Sequence, residues 1–151
     1  MIVLPAIDIR GGKCVRLTQG DFRKEIDYSD FPEDQALKWQ EEGAKFLHVV
    51  DLDGAREGHL SNIFAIKKIL DAVDIPIEVG GGVRTMNDME ALLDMGVSRV
   101  ILGTIAVEKP ELVRDAASTF GEKEQVVVEI ERENFGAIES SARRNFFTST
   151  D

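Results

Sequence analysis

The chain has 151 residues, 43% of them apolar, which is ordinary for one folded unit with a sizeable core. Its 18 Lys and Arg against 28 Asp and Glu give a formal charge of -10, which argues against general binding to nucleic acid or anionic membranes. A local site for a small anion remains compatible with this charge. Since no apolar run approaches the roughly 18–20 residues of a membrane span and no basic stretch precedes the first apolar residues, we expect a cytoplasmic protein.

Short runs rich in Val and Ile predict five strands, and stretches with helical spacing between them predict four helices. Pro32 and Pro110 suit first helical turns, Thr85 or Asn87 suits a cap, and glycines stand where helices should stop. The strand runs are apolar at both alternating sets of positions, which predicts a parallel sheet covered on both faces. The predicted strands are 2–9, 45–52, 75–79, 98–102 and 125–130, and the predicted helices are 32–42, 63–73, 87–95 and 110–118.

The alternation of strand and helix predicts either an open doubly wound sheet or part of a (β/α)8 barrel. A complete barrel needs about 250 residues, so this chain would supply about four βα units plus a fifth strand. The similar stretches "IDIRG" and "VDLDG" hint at a duplicated unit. We expect a partial barrel domain over 1–135 and an irregular or disordered tail over 136–151, where no strand or helix period continues.

Two glycine-containing turns follow neighbouring predicted strands, in "IEVGGGVR" and "VILGT". Bare backbone at the end of a parallel strand can approach a ligand and offer N–H groups to an anion. Gly81, Gly82 and Gly103 therefore predict a phosphate site, with Arg84 and the Thr104 hydroxyl nearby. The alternative is a pair of plain tight turns. The spacing matches neither a P-loop nor the dinucleotide fingerprint.

Asp8 ends the first apolar run, where partial desolvation would raise the pKa of its carboxyl and suit it to general base catalysis. The alternative is a turn-capping carboxylate paired with Arg10 or Lys13. His48, between apolar neighbours, is expected to be a core histidine rather than a catalyst. The one cysteine, Cys14, is expected to be a plain strand residue. No cluster has metal-ligand spacing, so no metal is predicted.

Four motifs resemble one family in order and spacing: "LPAIDIRGGKCVRLTQGD", "HVVDLDGA", "IPIEVGGGVRT" and "GVSRVILGTIAV". They are similar to the N-terminal half of the ProFAR isomerases of histidine biosynthesis. The resemblance implies a (β/α)8 barrel of two similar halves, a substrate with a phosphate at each end, and an Amadori rearrangement of an aminoaldose to an aminoketose without metal or cofactor. The related cyclase subunit of imidazole glycerol phosphate synthase typically has Cys-Leu-Asp on its first strand, whereas this chain has Ala-Ile-Asp.

The resemblance also implies roles for individual residues. Asp8 would act on the sugar during ring opening and proton transfer, and Glu131 stands where the family has a second catalytic Asp. Gly81, Gly82, Gly103 and Thr104 would bind one phosphate. Asp51 matches a position on the same rim and is expected to bind substrate; the alternative is that Asp51 or Asp53 only orders the loop. We expect the first and fifth strands to be open edges, and hence self-association or a complementing half-barrel. The alternative is a non-catalytic half-barrel that binds phosphorylated sugars or serves in assembly.

Overall fold

The computed structural model describes residues 3–18, 21–120 and 126–128. Seven strands are found there: β1 (Ala6–Arg10), β2 (Lys13–Thr18), β3 (Asp21–Ser29), β4 (Leu47–Asp51), β5 (Ile77–Gly80), β6 (Arg99–Leu102) and β7 (Val126–Val128). The helices are α1 (Pro32–Glu41), α2 (Leu52–Glu57), α3 (Ile63–Ala72), α4 (Met86–Met95), α5 (Ile105–Glu108) and α6 (Pro110–Phe120). Four of these helices and five of the strands match the elements predicted from sequence, with bounds shifted by a few residues.

The strands form one sheet in the order β3-β2-β1-β4-β5-β6-β7. The strands β1, β4, β5, β6 and β7 run parallel, as predicted. They follow chain order without a reversal, whereas a doubly wound sheet reverses its strand order at a switch point. The fold is therefore an α/β structure of the (β/α)-barrel type, and the sheet does not close within the described residues.

Alternate residues of the parallel strands point to opposite faces of the sheet, and the two faces differ in chemistry. One face is fully buried and joins apolar residues of α1, α3, α4 and α6 in a single core; its strand members are Ile7, Ile9, Leu47, Val49, Ile77, Val79, Val100 and Leu102. The other, which we call the inner face, carries Asp8, His48, Glu78 and Arg99. The prediction that both faces are apolar is therefore wrong for the inner face.

A hairpin that sequence patterning missed lies between β1 and α1. Gly11 and Gly12, with φ of 55° and 75°, form the turn from β1 into β2, and β2 pairs with β3. Two consecutive residues in the left-handed region suit a two-residue hairpin turn, so the glycine pair was the available signal. Because β2 pairs with Asp8, Ile9 and Arg10, the prediction that the first strand is an open edge is wrong for this half of β1.

Local signals at the helix ends behave as the sequence predicts. The Thr85 side chain accepts a hydrogen bond from the Asp88 N–H while Asp88 bonds back, which makes a capping box for α4. Gly96 ends this helix with φ of 110°.

Cys14 lies buried on β2, where burial and the charge of Asp8 raise the pKa of its thiol to about 11. Among the described helices, none is both long and apolar enough to cross a membrane.

Candidate active site

The inner face carries one continuous row of side chains across four parallel strands. Ala6 pairs with His48, His48 with Glu78, and Glu78 with Arg99, so the four residues share one register level. Asp8 stands two residues beyond Ala6 on the same face, toward the carboxyl ends of the strands, where barrel enzymes bind their substrates. The row and Asp8 together place an imidazole, two carboxyl groups and a guanidinium on the surface that a closed barrel would enclose.

Asp8 lies between Val15 of β2 and Val50 of β4 and is half-buried. Burial raises the pKa of the Asp8 carboxyl above its ordinary value, and the positive charge available on His48 opposes part of that rise. A carboxyl group with a raised pKa is better able to exchange a proton near neutral pH than an exposed one. This is the environment that the sequence predicts for Asp8.

His48 is tied into an ion-pair chain that sequence reasoning missed. Its Nδ1 lies 2.7 Å from Oε1 of Glu78, and Oε2 of Glu78 accepts from a terminal nitrogen of Arg99 at 2.8 Å. The Arg99 guanidinium also covers the Phe46 ring, 4.2 Å from its centroid. The signal was an ionisable residue near the start of each of three apolar strands, namely His48 in β4, Glu78 in β5 and Arg99 in β6.

Asp51 faces the other way. It pairs with Ile9 rather than with Asp8, so its side chain lies on the opposite side of the sheet. The carboxylate is completely buried and accepts from Gly54 N and Asn62 Nδ2 at Oδ1 (2.8 and 2.7 Å), and from Ser61 N and Asn62 N at Oδ2 (2.7 and 2.8 Å). The similarity of "IDIRG" to "VDLDG" therefore does not place the two aspartates on one face. These contacts favour a loop-ordering role for Asp51 over the predicted contact with substrate.

Asp51→Asn is expected to destabilise the fold by about 2–4 kcal/mol, because an amide can accept only at its oxygen and two buried N–H donors would face its NH2 group. The matched control is Asp53→Asn, since Oδ2 of Asp53 alone accepts from Gly11 N and Asn62 Nδ2 and an amide oxygen can replace it. Urea unfolding of both variants measures the difference. Equal losses in the two would contradict this role for Asp51.

The same loop is bonded to the β1–β2 turn. Gly11 N donates to Asp53 at 2.7 Å, and Gly12 N donates to Oδ1 of Asn62 at 3.0 Å. Asn62 donates from its amide to both Asp51 and Asp53. The segments after β1 and β4 are therefore held together on the side of the sheet away from His48, which fixes the carboxyl end of the strand that carries Asp8.

The consecutive glycines after β5 serve close backbone packing. Gly81 and Gly82 have φ of 96° and 79°. A Cβ on Gly81 would overlap the carbonyl oxygen of Asp51, and one on Gly82 would lie 2.6 Å from the carbonyl oxygen of His59. Their bare backbone is thus required by the loop after β4, whether or not an anion also binds there. The alternative of a tight turn made necessary by packing has direct support in these contacts.

The second predicted phosphate turn follows β6, the neighbour of β5. Gly103 is half-buried, and the exposed hydroxyl of Thr104 has no hydrogen-bond partner in the part of the chain that the structure describes. Arg84 follows the first turn, and one of its terminal nitrogens lies 3.3 Å from Glu108 of α5, the helix that follows the second turn. The turns therefore stand side by side at the carboxyl edge of the sheet, and the Arg84 charge is partly compensated by Glu108.

Glu131 and the tail 136–151 lie outside the described residues. Within residues 3–18, 21–120 and 126–128, no group of three or more His, Cys, Asp or Glu side chains is arranged to hold a metal ion.

Comparison with known proteins identifies the family. A family model described as histidine biosynthesis protein matches residues 2–148. The chain is 47% identical over 151 residues to a protein of Chloroherpeton thalassium, 54% over 123 residues to one of Thermodesulfovibrio yellowstonii, and 48% over 150 residues to one of Acetivibrio thermocellus. Each of these is named 1-(5-phosphoribosyl)-5-((5-phosphoribosylamino)methylideneamino)imidazole-4-carboxamide isomerase.

These alignments cover 97%, 82% and 99% of this chain, but only 57%, 50% and 62% of the respective relatives. The chain therefore spans little more than half the length of the relatives it matches. The four motifs that resemble the ProFAR isomerases fall within the matched segment. With a family model that matches nearly every residue, the chain belongs to the histidine biosynthesis protein family.

Proposed function

We propose that this chain contributes the first half of an isomerase site that converts the aminoaldose of a bis-phosphorylated substrate, ProFAR, to an aminoketose. The observation that carries the proposal is Asp8, a half-buried carboxyl group with a raised pKa at the carboxyl end of β1. The relatives' name supports the substrate, because it contains two phosphoribosyl groups. A reaction of this kind on a charged metabolite also agrees with the expected cytoplasmic location.

The chemistry needs acid–base groups that exchange protons with the sugar. Opening the ribose ring requires a proton on the ring oxygen as the C1–O bond breaks, and formation of the ketose requires loss of the C2 proton followed by reprotonation at C1. The overall change is an isomerisation, so no electrons leave the substrate and no redox partner is consumed. Asp8 is proposed to exchange a proton with the sugar, and Glu131 is proposed as the second acid–base group.

One substrate phosphate is proposed to bind at the two turns after β5 and β6. The Thr104 hydroxyl is exposed there, and the backbone of Gly81, Gly82 and Gly103 adds potential N–H donors without side chains in the way. Arg84 is proposed to contribute positive charge from the edge of this site. Its ion pair with Glu108 would have to loosen or be shared when a dianion binds. Asp51 is proposed to act indirectly, through the loop that it orders beneath Gly81.

The second phosphate is proposed to bind groups beyond the described residues. The five described parallel strands leave the sheet open, so a complementing half, from further chain or from a second copy, is proposed to close it. The open sheet also favours a second candidate function, in which this segment binds a sugar phosphate without turning it over. The two functions share the phosphate turns and differ in the need for Asp8.

Turnover of ProFAR by the purified chain, together with binding of ribose 5-phosphate measured by calorimetry, tests the proposal. Turnover supports the isomerase. Binding without turnover supports the non-catalytic function, and neither would overturn both. Thr104→Val is expected to weaken ribose 5-phosphate binding by about tenfold, the value of one hydrogen bond to a charged group.

The control for this variant is Ser118→Ala, which removes a hydroxyl bonded within α6 to the carbonyl of Arg114. That serine lies near the C-terminal end of α6. Because α6 leads from the carboxyl end of β6 back to the start of β7, this end of the helix is distant from the turns after β5 and β6. Its loss should leave ribose 5-phosphate binding unchanged. Equal affinity in the Thr104→Val variant and the unchanged chain would remove Thr104 from the phosphate site.

A further inference from the structure

The inner face holds two acidic residues, Asp8 and Glu78, and only Asp8 has been given a role. Glu78 is 9% exposed, lies inside an otherwise apolar strand and accepts from residues of both neighbouring strands. Taking a carboxylate out of water is unfavourable unless it is paired and hydrogen-bonded. A buried ion-pair chain of this kind is weak evidence for stability by itself. Its geometry, however, determines which atoms of His48 and Glu78 face each other.

The bond between Glu78 and His48 determines which ring nitrogen carries a proton. Oε2 of Glu78 accepts from Arg99, and Oε1 lies 2.7 Å from Nδ1 of His48. A carboxylate has no proton to donate, so Nδ1 of His48 must be the donor in that contact. The neutral imidazole is then protonated at Nδ1, and Nε2 has the lone pair. Since β5 lies on one side of β4 and β1 on the other, Glu78 and Asp8 approach the histidine from opposite neighbouring strands.

We propose that Glu78, oriented by Arg99, is a positioning residue that holds His48 as the Nδ1–H tautomer beside Asp8, so that His48 assists the proton exchanges of Asp8. Arg99 also contacts the Phe46 ring, 4.2 Å from its centroid, so the guanidinium has a second partner besides the Glu78 carboxylate. Among the side chains that the structure describes, the charged and ionisable groups on this surface of the strands next to β4 are Asp8 and Arg10 on β1 and Glu78 on β5, with Arg99 one strand further. The catalytic part of this assignment rests on the proposed isomerase function, whereas the tautomer does not.

The chain suits a direct test because it contains only two histidines, His48 and His59. In the 15N-labelled chain, long-range 1H–15N correlation spectra report which nitrogen of each ring carries the proton. We expect His48 to show a protonated Nδ1 and an unprotonated Nε2 above its titration range. In Glu78→Gln the amide can turn its NH2 group toward the ring, so the Nδ1–H signature is expected to be lost.

A second His–Glu pair supplies the matched control. His59 lies 3.4 Å from Glu57 on an exposed loop, so Glu57→Gln removes a similar neighbour from the other histidine. This variant should leave the His48 tautomer and any turnover unchanged. Thermal unfolding of Glu78→Gln identifies a variant that has lost its fold, and Arg99→Lys then provides a second, milder disturbance of Glu78 with the positive charge retained.

The outcomes separate this assignment from the proposed function. If turnover is present, Glu78→Gln is expected to lower kcat by on the order of tenfold to a hundredfold with little change in KM, as loss of correct positioning does. An Nδ1–H tautomer in a chain without turnover would support the positioning and count against the isomerase. An Nε2–H tautomer in the unchanged chain would overturn the proposal whatever the activity. An Nδ1–H tautomer that neither Glu78→Gln nor Arg99→Lys alters would overturn it as well.

Discussion

Replacing Asp8 with asparagine is expected to lower kcat for the proposed isomerisation by on the order of a hundredfold to ten-thousandfold, the range that a general acid–base group contributes. The amide retains the shape of the carboxyl group but cannot exchange a proton near neutral pH. Binding of ribose 5-phosphate should be unaffected, because the phosphate turns follow β5 and β6 rather than β1. Steady-state kinetics and calorimetry on the same preparation measure both effects.

The same substitution has a stability signature with a defined sign. Because burial raises the pKa of Asp8 in the folded chain, its stabilising contribution is complete below the pKa of the unfolded carboxyl and is lost as the pH rises through the folded value. Above that value the unchanged chain carries an unfavourable half-buried charge, which Asp8→Asn lacks. The variant is expected to melt at an equal or higher temperature at pH 7. Turnover that survives within threefold, or a clear loss of stability, would contradict the assigned role.

Asp94→Asn is the control for both measurements, since Asp94 is an exposed residue of α4. The change removes one carboxylate of the same type from the surface. It should alter neither kcat nor the melting temperature beyond the small effects usual at exposed sites. A comparable loss of activity there would point to net charge rather than to the position of Asp8.

Gly81→Ala is expected to destabilise the fold by about 2–6 kcal/mol, the sum of a left-handed backbone and an overpacked contact. The alanine would need φ near 96°, and its Cβ would overlap the carbonyl of Asp51. A backbone group can give way only if the whole loop after β4 moves. Urea unfolding measures the loss, and the slope of the transition shows whether the unfolded state has changed as well.

The control isolates the contact from the backbone angle. Gly43 has φ of 100°, but a Cβ there would meet nothing within 4 Å, so Gly43→Ala carries only the conformational term of about 1–2 kcal/mol. If Gly81→Ala costs no more than Gly43→Ala, the close approach of the two loops is not what requires the glycine. Its place in the fold would then have to be explained by ligand binding.

Sequence reasoning reached the regular elements because their signals are local. The run 110–118 predicts a helix that the structure extends over Pro110–Phe120, and Thr85 was one of two candidate caps. The short helices α2 and α5 and the β2–β3 hairpin were missed, because their residues lack a long apolar period. The Gly11–Gly12 pair could have predicted the hairpin, since two glycines in succession are typical of such a turn.

The site was only partly accessible from sequence. Asp8 could be found because one carboxylate ends an apolar run, but its partner His48 depends on Glu78, which is 30 residues further along the chain. Strand register decides that these residues share a face while Asp51 does not. Likewise, the reason for Gly81 lies in a loop that precedes it by about 30 residues, and no local pattern reveals such a contact. The phosphate turns, Arg84 and Glu131 stay predictions.

The hairpin pairs with only the C-terminal part of β1 and leaves the residues before Asp8 without a strand on that side in the described part of the chain. The C-terminal residues of β1, Asp8, Ile9 and Arg10, are paired with β2, whereas Ala6 is exposed and Val3 is 67% exposed. Any further strand that joins the sheet at this edge can pair only with the residues before Asp8 and must stop where the hairpin begins. The hairpin therefore limits the register in which such a strand can pair with β1. Asp8 is the first residue of β1 that pairs with the hairpin, so the junction of a completed barrel would run directly beside this half-buried carboxyl group.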